Sequence, residues 1–161
     1  MSRLWNQHRF FLEVPEVYTL NQRLPGGYPG IELMQKGPSR GLSVSWQPAA
    51  EPAAALRDTS VLLAMRREMG RRLHNEEIVP ESLVWKVDRL GDTPVVRLEG
   101  AWNSTVFEGG GAFWSWFVAD PAGDRLFCLD ALCYAPGLDK MPFFRRMRAI
   151  MTTFSLERPR P

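Results

Sequence analysis

The chain has 161 residues, a length that suits one domain, and folding at that size can take roughly 70% of the unfolded chain's surface out of water. With 45% hydrophobic and 24% charged residues it lies far from the composition of disordered segments, and no stretch approaches the run of about twenty apolar residues a membrane span requires. The formal net charge of +2 is too small to name an electrostatic partner, and the start Met1-Ser2-Arg3-Leu4-Trp5 lacks the apolar run of an export signal. The expectation is one soluble domain over 1–161 with an ordered core at about 9–154.

In chain order, Arg9 to Val14 reads as an aromatic-rich strand stopped by Pro15, which cannot donate a ladder hydrogen bond. Turn-rich sequence follows through Pro25-Gly26-Gly27 and Pro29-Gly30. Ile31 to Met34 reads as a short strand. Leu42, Val44 and Trp46 alternate with Ser43, Ser45 and Gln47, the pattern of a strand with one face buried. Pro48 to Ala55 leads into a helix rather than forming a linker. Asp58, Thr59 and Ser60 are competent N-caps for it, and Val61, Leu62, Met65, Met69 and Leu73 recur at helical spacing, with Arg66, Arg67, Arg71 and Arg72 on the remaining face.

The second half reads as a meander. Strands Leu83 to Leu90 and Val95 to Trp102 flank Gly91-Asp92-Thr93, and strands Ala112 to Ala119 and Arg125 to Tyr134 flank a turn at Asp120 to Asp124. A last helix starts near Met141, with Phe143, Met147, Ile150, Met151 and Phe154 on its stripe. The tail Glu157-Arg158-Pro159-Arg160-Pro161 reads as neither strand nor helix. Trp114, Trp116 and Val118 alternate with Phe113, Phe117 and Ala119, so this hairpin has two apolar faces and both must be covered. Cys128 and Cys133, five apart on one strand, point to opposite faces, cannot pair within it and read as buried small hydrophobes.

Catalytic and metal signatures are absent from the sequence. The imidazoles are His8 and His74, neither in a nucleophile motif, and His74 beside Arg71 and Arg72 reads as a cation at a helix C-terminus. Neither Cys-x-x-Cys nor His-x-x-x-His occurs, and Glu76, Glu77 and Glu81 read as solvated loop carboxylates rather than a cation site, so no metal and no cofactor are expected. Gly109-Gly110-Gly111 has no following Lys-Ser or Lys-Thr and leads into a strand, which reads as a tight turn or close backbone approach over Trp102 rather than a phosphate loop. The helix arginines are diluted by Glu68, Glu76 and Glu77, and no nucleic acid partner is expected. The six tryptophans (Trp5, Trp46, Trp85, Trp102, Trp114 and Trp116) are core residues by default, each with an N–H to satisfy.

Trp102, then Phe107-Glu108-Gly109-Gly110-Gly111-Ala112-Phe113, Asp120, Cys133-Tyr134-Ala135-Pro136-Gly137, Lys140 and Arg145 to Ile150 occur in an order that resembles the carboxy-terminal half of a Bacteroidota family, domain of unknown function 4837. Val14-Pro15 to Tyr18 and Ala55-Leu56-Arg57-Asp58 extend the resemblance to roughly residues 9–154. It implies a cell-envelope or periplasmic lipoprotein-like domain. The family's signal and amino-terminal half have no counterpart here, which leaves a cytoplasmic location as the alternative. The order of elements is also similar to the Mog1 and PsbP-like α+β sandwich, an antiparallel sheet with two principal helices packed on it, whose members are mostly binding and accessory subunits.

The resulting expectation is a non-enzymatic binding or accessory protein with a protein partner. Its candidate binding surface is Trp102, Glu108, Gly110, Trp114, Trp116 and Tyr134. A second expectation is an apolar small molecule held between sheet and helix, in a cavity of several hundred cubic ångströms lined by Trp and Met. A third is an enzyme without a recognisable motif, built around Glu99, Glu108 and Tyr134.

Overall fold

The apolar alternation is realised as one antiparallel sheet in a computed structural model that describes residues 8–37 and 39–157. Trp5 and the tail positions Arg158 to Pro161 lie outside the described residues. The strands are β1 (Thr19–Asn21), β2 (Gly30–Gln35), β3 (Ser39–Pro48), β4 (Glu76–Leu90), β5 (Thr93–Ser104), β6 (Gly110–Asp120) and β7 (Arg125–Tyr134). Their order across the sheet is β1-β2-β3-β7-β6-β5-β4. The helices are α1 (Pro52–Ala55), α2 (Thr59–His74) and α3 (Met141–Met151).

Each face of the sheet is covered by its own helix, as two apolar faces demand. On one face Trp116, Val118, Phe127 and Leu129 pack with Phe144, Met147 and Ile150 of α3. On the other, Leu98, Phe113, Phe117 and Cys128 pack with Leu62, Met65 and Met69 of α2. Each such side chain contributes about 1.5–3 kcal/mol by leaving water. Cys128 and Cys133 fall on opposite faces, both buried, as their spacing requires. The N-cap of α2 is Asp58, whose carboxylate accepts from the N–H groups of Ser60 and Val61.

Three expectations are corrected. Arg9 to Val14 is not a strand: Phe11 forms one bridge with Ser155, and Phe10, Leu12 and Val14 are buried against the α3 face. Their alternation serves packing beside the last helix, not a ladder. The strand read from Leu83 starts instead at Glu76, because pairing with β5 carries the chain past Pro80 through an irregularity between Val79 and Val84. Ser82 repairs the ladder there, its Oγ donating to the Val79 carbonyl at 2.7 Å and accepting from the Ala101 N–H at 2.7 Å. Arg66, read as lying on the helix face away from the apolar stripe, is fully buried.

Candidate functional site

Arg66 is the centre of a polar cluster that sequence reasoning missed. Its Nη2 donates to Glu76 Oε2 at 2.8 Å, its Nε lies 2.7 Å from Asp130 Oδ1, and its guanidinium covers the Phe113 ring at 4.3 Å. Ser115 Oγ donates to Asp130 from the neighbouring strand. A methyl group at Gly70 would collide with Arg66 Nη1, so this helical glycine makes the room the guanidinium occupies. Glycine in a helix interior costs about 1 kcal/mol against alanine. A glycine four residues after an arginine was therefore the signal available in the sequence.

Burial also overturns two charge readings. His74 is pushed down to about 4, first by burial and then by the Arg66 charge, so it is a neutral imidazole and not a helix-terminal cation. Glu32 stands 3.6 Å away, beyond hydrogen-bond reach. Glu76, read as solvated, is raised to about 7, first by burial and, against the pull of Arg66, by the Asp130 charge. One guanidinium faces two carboxylates, and Asp130 is raised by burial as well. The side chains of Arg66 and Asp130 are closed off from solvent, so the cluster holds α2, β4 and β7 together and offers no open position to a substrate.

The six residues of the candidate surface divide between the two faces. Trp114 and Trp116 lie on the α3 side, where Trp114 stacks on Phe144 at 4.8 Å and Trp116 is buried. Trp102, paired with Gly111, lies on the α2 side with Tyr134, so the three tryptophans do not line one groove. Trp102 satisfies its indole N–H on the Ala112 carbonyl at 3.3 Å, whereas the buried Trp116 N–H has no protein acceptor within reach. Gly111 packs under the Trp102 ring, and a Cβ there would sit 2.9 Å from it and collide with the Cys133 carbonyl. The close approach expected for the glycine run is thus present.

Trp102, Glu108, Gly110 and Tyr134 do gather at one end of the sheet. Tyr134 lies between Trp102 at 6.3 Å and Phe107 at 5.4 Å, the latter edge-on. The β5–β6 loop is tied down: Ser104 Oγ accepts from the Val106 and Phe107 N–H groups, and Thr105 donates twice to the Asn75 carbonyl. This frame presents Val106, 68% exposed, and Phe107, 47% exposed, with Glu108 beside them. Leu138 of the β7–α3 connection and Met141, the first residue of α3, are also exposed at that end.

A second surface feature went unread in the sequence. A largely apolar cleft of about 580 Å³ opens between α1 and the β4–β5 hairpin, lined by Leu56, Trp85, Val87, Val96 and Ala119 together with Arg57, Thr59 and Lys86. Trp85 and Val96 belong to the α2 face, while Val87 on the same side remains 87% exposed. The cleft holds the expected tryptophan but no methionine. Strand parity on β4 carried the only available signal, since Trp85 and Val87 share a face.

The residues named for an unrecognised enzyme do not converge. Glu99 pairs with Lys86 at 2.9 Å and with Arg97, which reaches over Trp114 and Trp116 on the α3 side, while Tyr134 lies on the α2 side and Glu108 in the exposed loop. Among the described residues no group of His, Cys, Asp and Glu is placed to hold a metal ion.

Comparison with solved structures shows the fold. The solution structure of cyanobacterial PsbP (CyanoP) from Synechocystis sp. PCC 6803 superposes with a TM-score of 0.63 at 11% identity, over 94% of this chain and 88% of that one. The chain therefore has the PsbP-like α+β fold expected from its order of elements. No curated protein matches it. The residues from Leu62 in α2 to Thr153 just past α3, which include the β5–β6 loop and Tyr134, match the model of one family, and the chain belongs to that family, described as Domain of unknown function (DUF4837).

Proposed function

We propose that this is a non-enzymatic binding domain, an accessory protein of a larger envelope or membrane-associated assembly, which docks a protein partner through the loop end of the sheet. The observation that carries the reading is the rigid presentation of Val106 and Phe107. The loop's backbone is hydrogen-bonded on both sides, so little conformational entropy remains to be lost when these side chains are covered. Exposed aromatic and aliphatic groups on a fixed frame have the character of interface anchors. No described helix is long and apolar enough to cross a membrane. The test is native mass spectrometry of complexes drawn from the protein's own source, comparing the wild type with Phe107→Asp. A stoichiometric partner that is lost in the folded variant is expected. Retention of that partner by the variant would remove the loop end from the proposal.

The cleft beside Trp85 favours a second reading, an apolar small-molecule site, because most of its lining side chains are apolar, with Arg57, Lys86 and Thr59 as the polar ones and no carboxylate. An added small-molecule mass on the isolated protein, lost in Val96→Asp, is the result that would support it.

A further inference from the structure

We propose that β4 is a homodimerisation edge, at which two copies of this chain pair their Val84–Leu90 segments antiparallel about a two-fold axis at Val87. β4 is the terminal strand of the sheet, so its outer backbone groups face no strand among the described residues. The segment is regular from Val84 to Leu90, bounded by the irregularity before Val84 and by the Gly91-Asp92 turn. A two-fold at Val87 sets the turn of one copy against the irregularity of the other, so the paired length coincides with the regular length.

The side chains in that register are self-complementary. Val87 meets Val87 of the second copy, Lys86 meets Asp88, Trp85 meets Arg89 and Val84 meets Leu90. Apolar residues face apolar ones, opposite charges lie directly across, and an arginine reaches a tryptophan, each a favourable cross-strand pair. The exposures agree: Val87 is 87% and Val84 48% exposed, values that strand addition would reduce. Lys86 and Asp88 already belong to an alternating charge row with Glu99 and Arg97, which the two cross-copy pairs would extend. The assembly closes, because the sheet's other edge is the three-residue β1, too short to propagate pairing. This edge lies at the opposite end of β4 from the loop end, and the inference does not rest on the partner reading above.

The test is sedimentation velocity on the full chain. The wild type is expected to dimerise reversibly. Lys86→Glu alone places two acidic pairs across the axis and Asp88→Lys alone two basic pairs, so each variant should weaken self-association by about tenfold or more. Mixed together, they restore Glu-to-Lys and Asp-to-Lys pairing in a heterodimer, with the same intramolecular changes as in the separate samples. Val87→Cys, at an exposed position, supplies an independent readout: cross-axis Cα separations of about 4.5–5.5 Å suit a disulfide, and oxidation should give a covalent dimer while buried Cys128 and Cys133 stay free. A monomeric wild type, variants that dimerise alone, a mixture that stays monomeric, or no covalent dimer from Val87→Cys would each overturn the proposal. A wild-type monomer that captures an extended peptide at this edge would assign the edge to another protein instead.

Discussion

Arg66 and Asp130 meet at 2.7 Å with neither side chain reaching solvent, an ion pair that crosses from α2 to the central strand β7. Taking two charges out of water is costly, and Ser115 and Glu76 offset part of that cost with one hydrogen bond each, while Arg66 Nη1 and Asp130 Oδ2 find no hydrogen-bond partner among the described residues. Arg66→Ala leaves two carboxylates buried without a counter-charge and is expected to cost about 3–5 kcal/mol in urea denaturation. Gly70→Ala, which helix propensity alone would make stabilising, is expected to destabilise by roughly 1–3 kcal/mol because its methyl group displaces the Arg66 guanidinium.

The same cluster predicts opposed pH dependences. Glu76, raised from 4.5 to about 7, keeps its proton in the folded state where the unfolded chain has lost it, so its contribution to stability falls as pH rises through that window. His74, lowered from 6.5 to about 4, is neutral when folded where the unfolded chain binds a proton, so its contribution falls as pH drops through that window. Relative to the wild type, Glu76→Gln should gain stability as pH rises from 4.5 towards 7, and His74→Gln should gain it as pH falls from 6.5 towards 4. Urea midpoints measured across that range check both, and difference profiles flat with pH would remove these two groups as the cause.

Gly111→Ala forces a methyl group against the Cys133 carbonyl and the Trp102 ring. Overpacking of this kind costs about 1–3 kcal/mol. A changed near-ultraviolet circular dichroism signal, reporting a displaced Trp102, is expected with a lowered denaturation midpoint.

Trp116→Ala is expected to cost about 3–5 kcal/mol, the loss typical of a core aromatic, and to act on folding rather than on partner binding. Thiol reagents test the same packing without mutation. Burial raises both the Cys128 and Cys133 thiols, so labelling in native buffer should be slow and should follow unfolding. Rapid labelling of the native protein would contradict the buried placement.

Much of the fold was legible because parity within one strand is local. Cys128 against Cys133, and Trp116 against Phe117, can be assigned to opposite faces by counting. The face of Trp102 relative to Trp114 could not be assigned this way, since it depends on the register between β5 and β6, and a one-residue slip reverses it. Arg66 was misread because a charged residue on a helix is ordinarily solvated, and its partners lie 10 and 64 positions away on two strands. Glu76 and Glu77 resembled a loop for a related reason: pairing with β5 supplies what their local propensity lacks.

The bridge between Phe11 and Ser155 makes the order of synthesis matter. At about 5–20 residues per second, the ribosome needs on the order of ten seconds to pass from Phe11 to Ser155, and α3 emerges only at the end of that interval. Until then Phe10, Leu12, Phe127 and Leu129 have no helix to shelter them, although the opposite face can already close on α2. The nascent chain thus passes through a half-roofed stage, open to chaperones and to other nascent chains, that ends when the last helix docks.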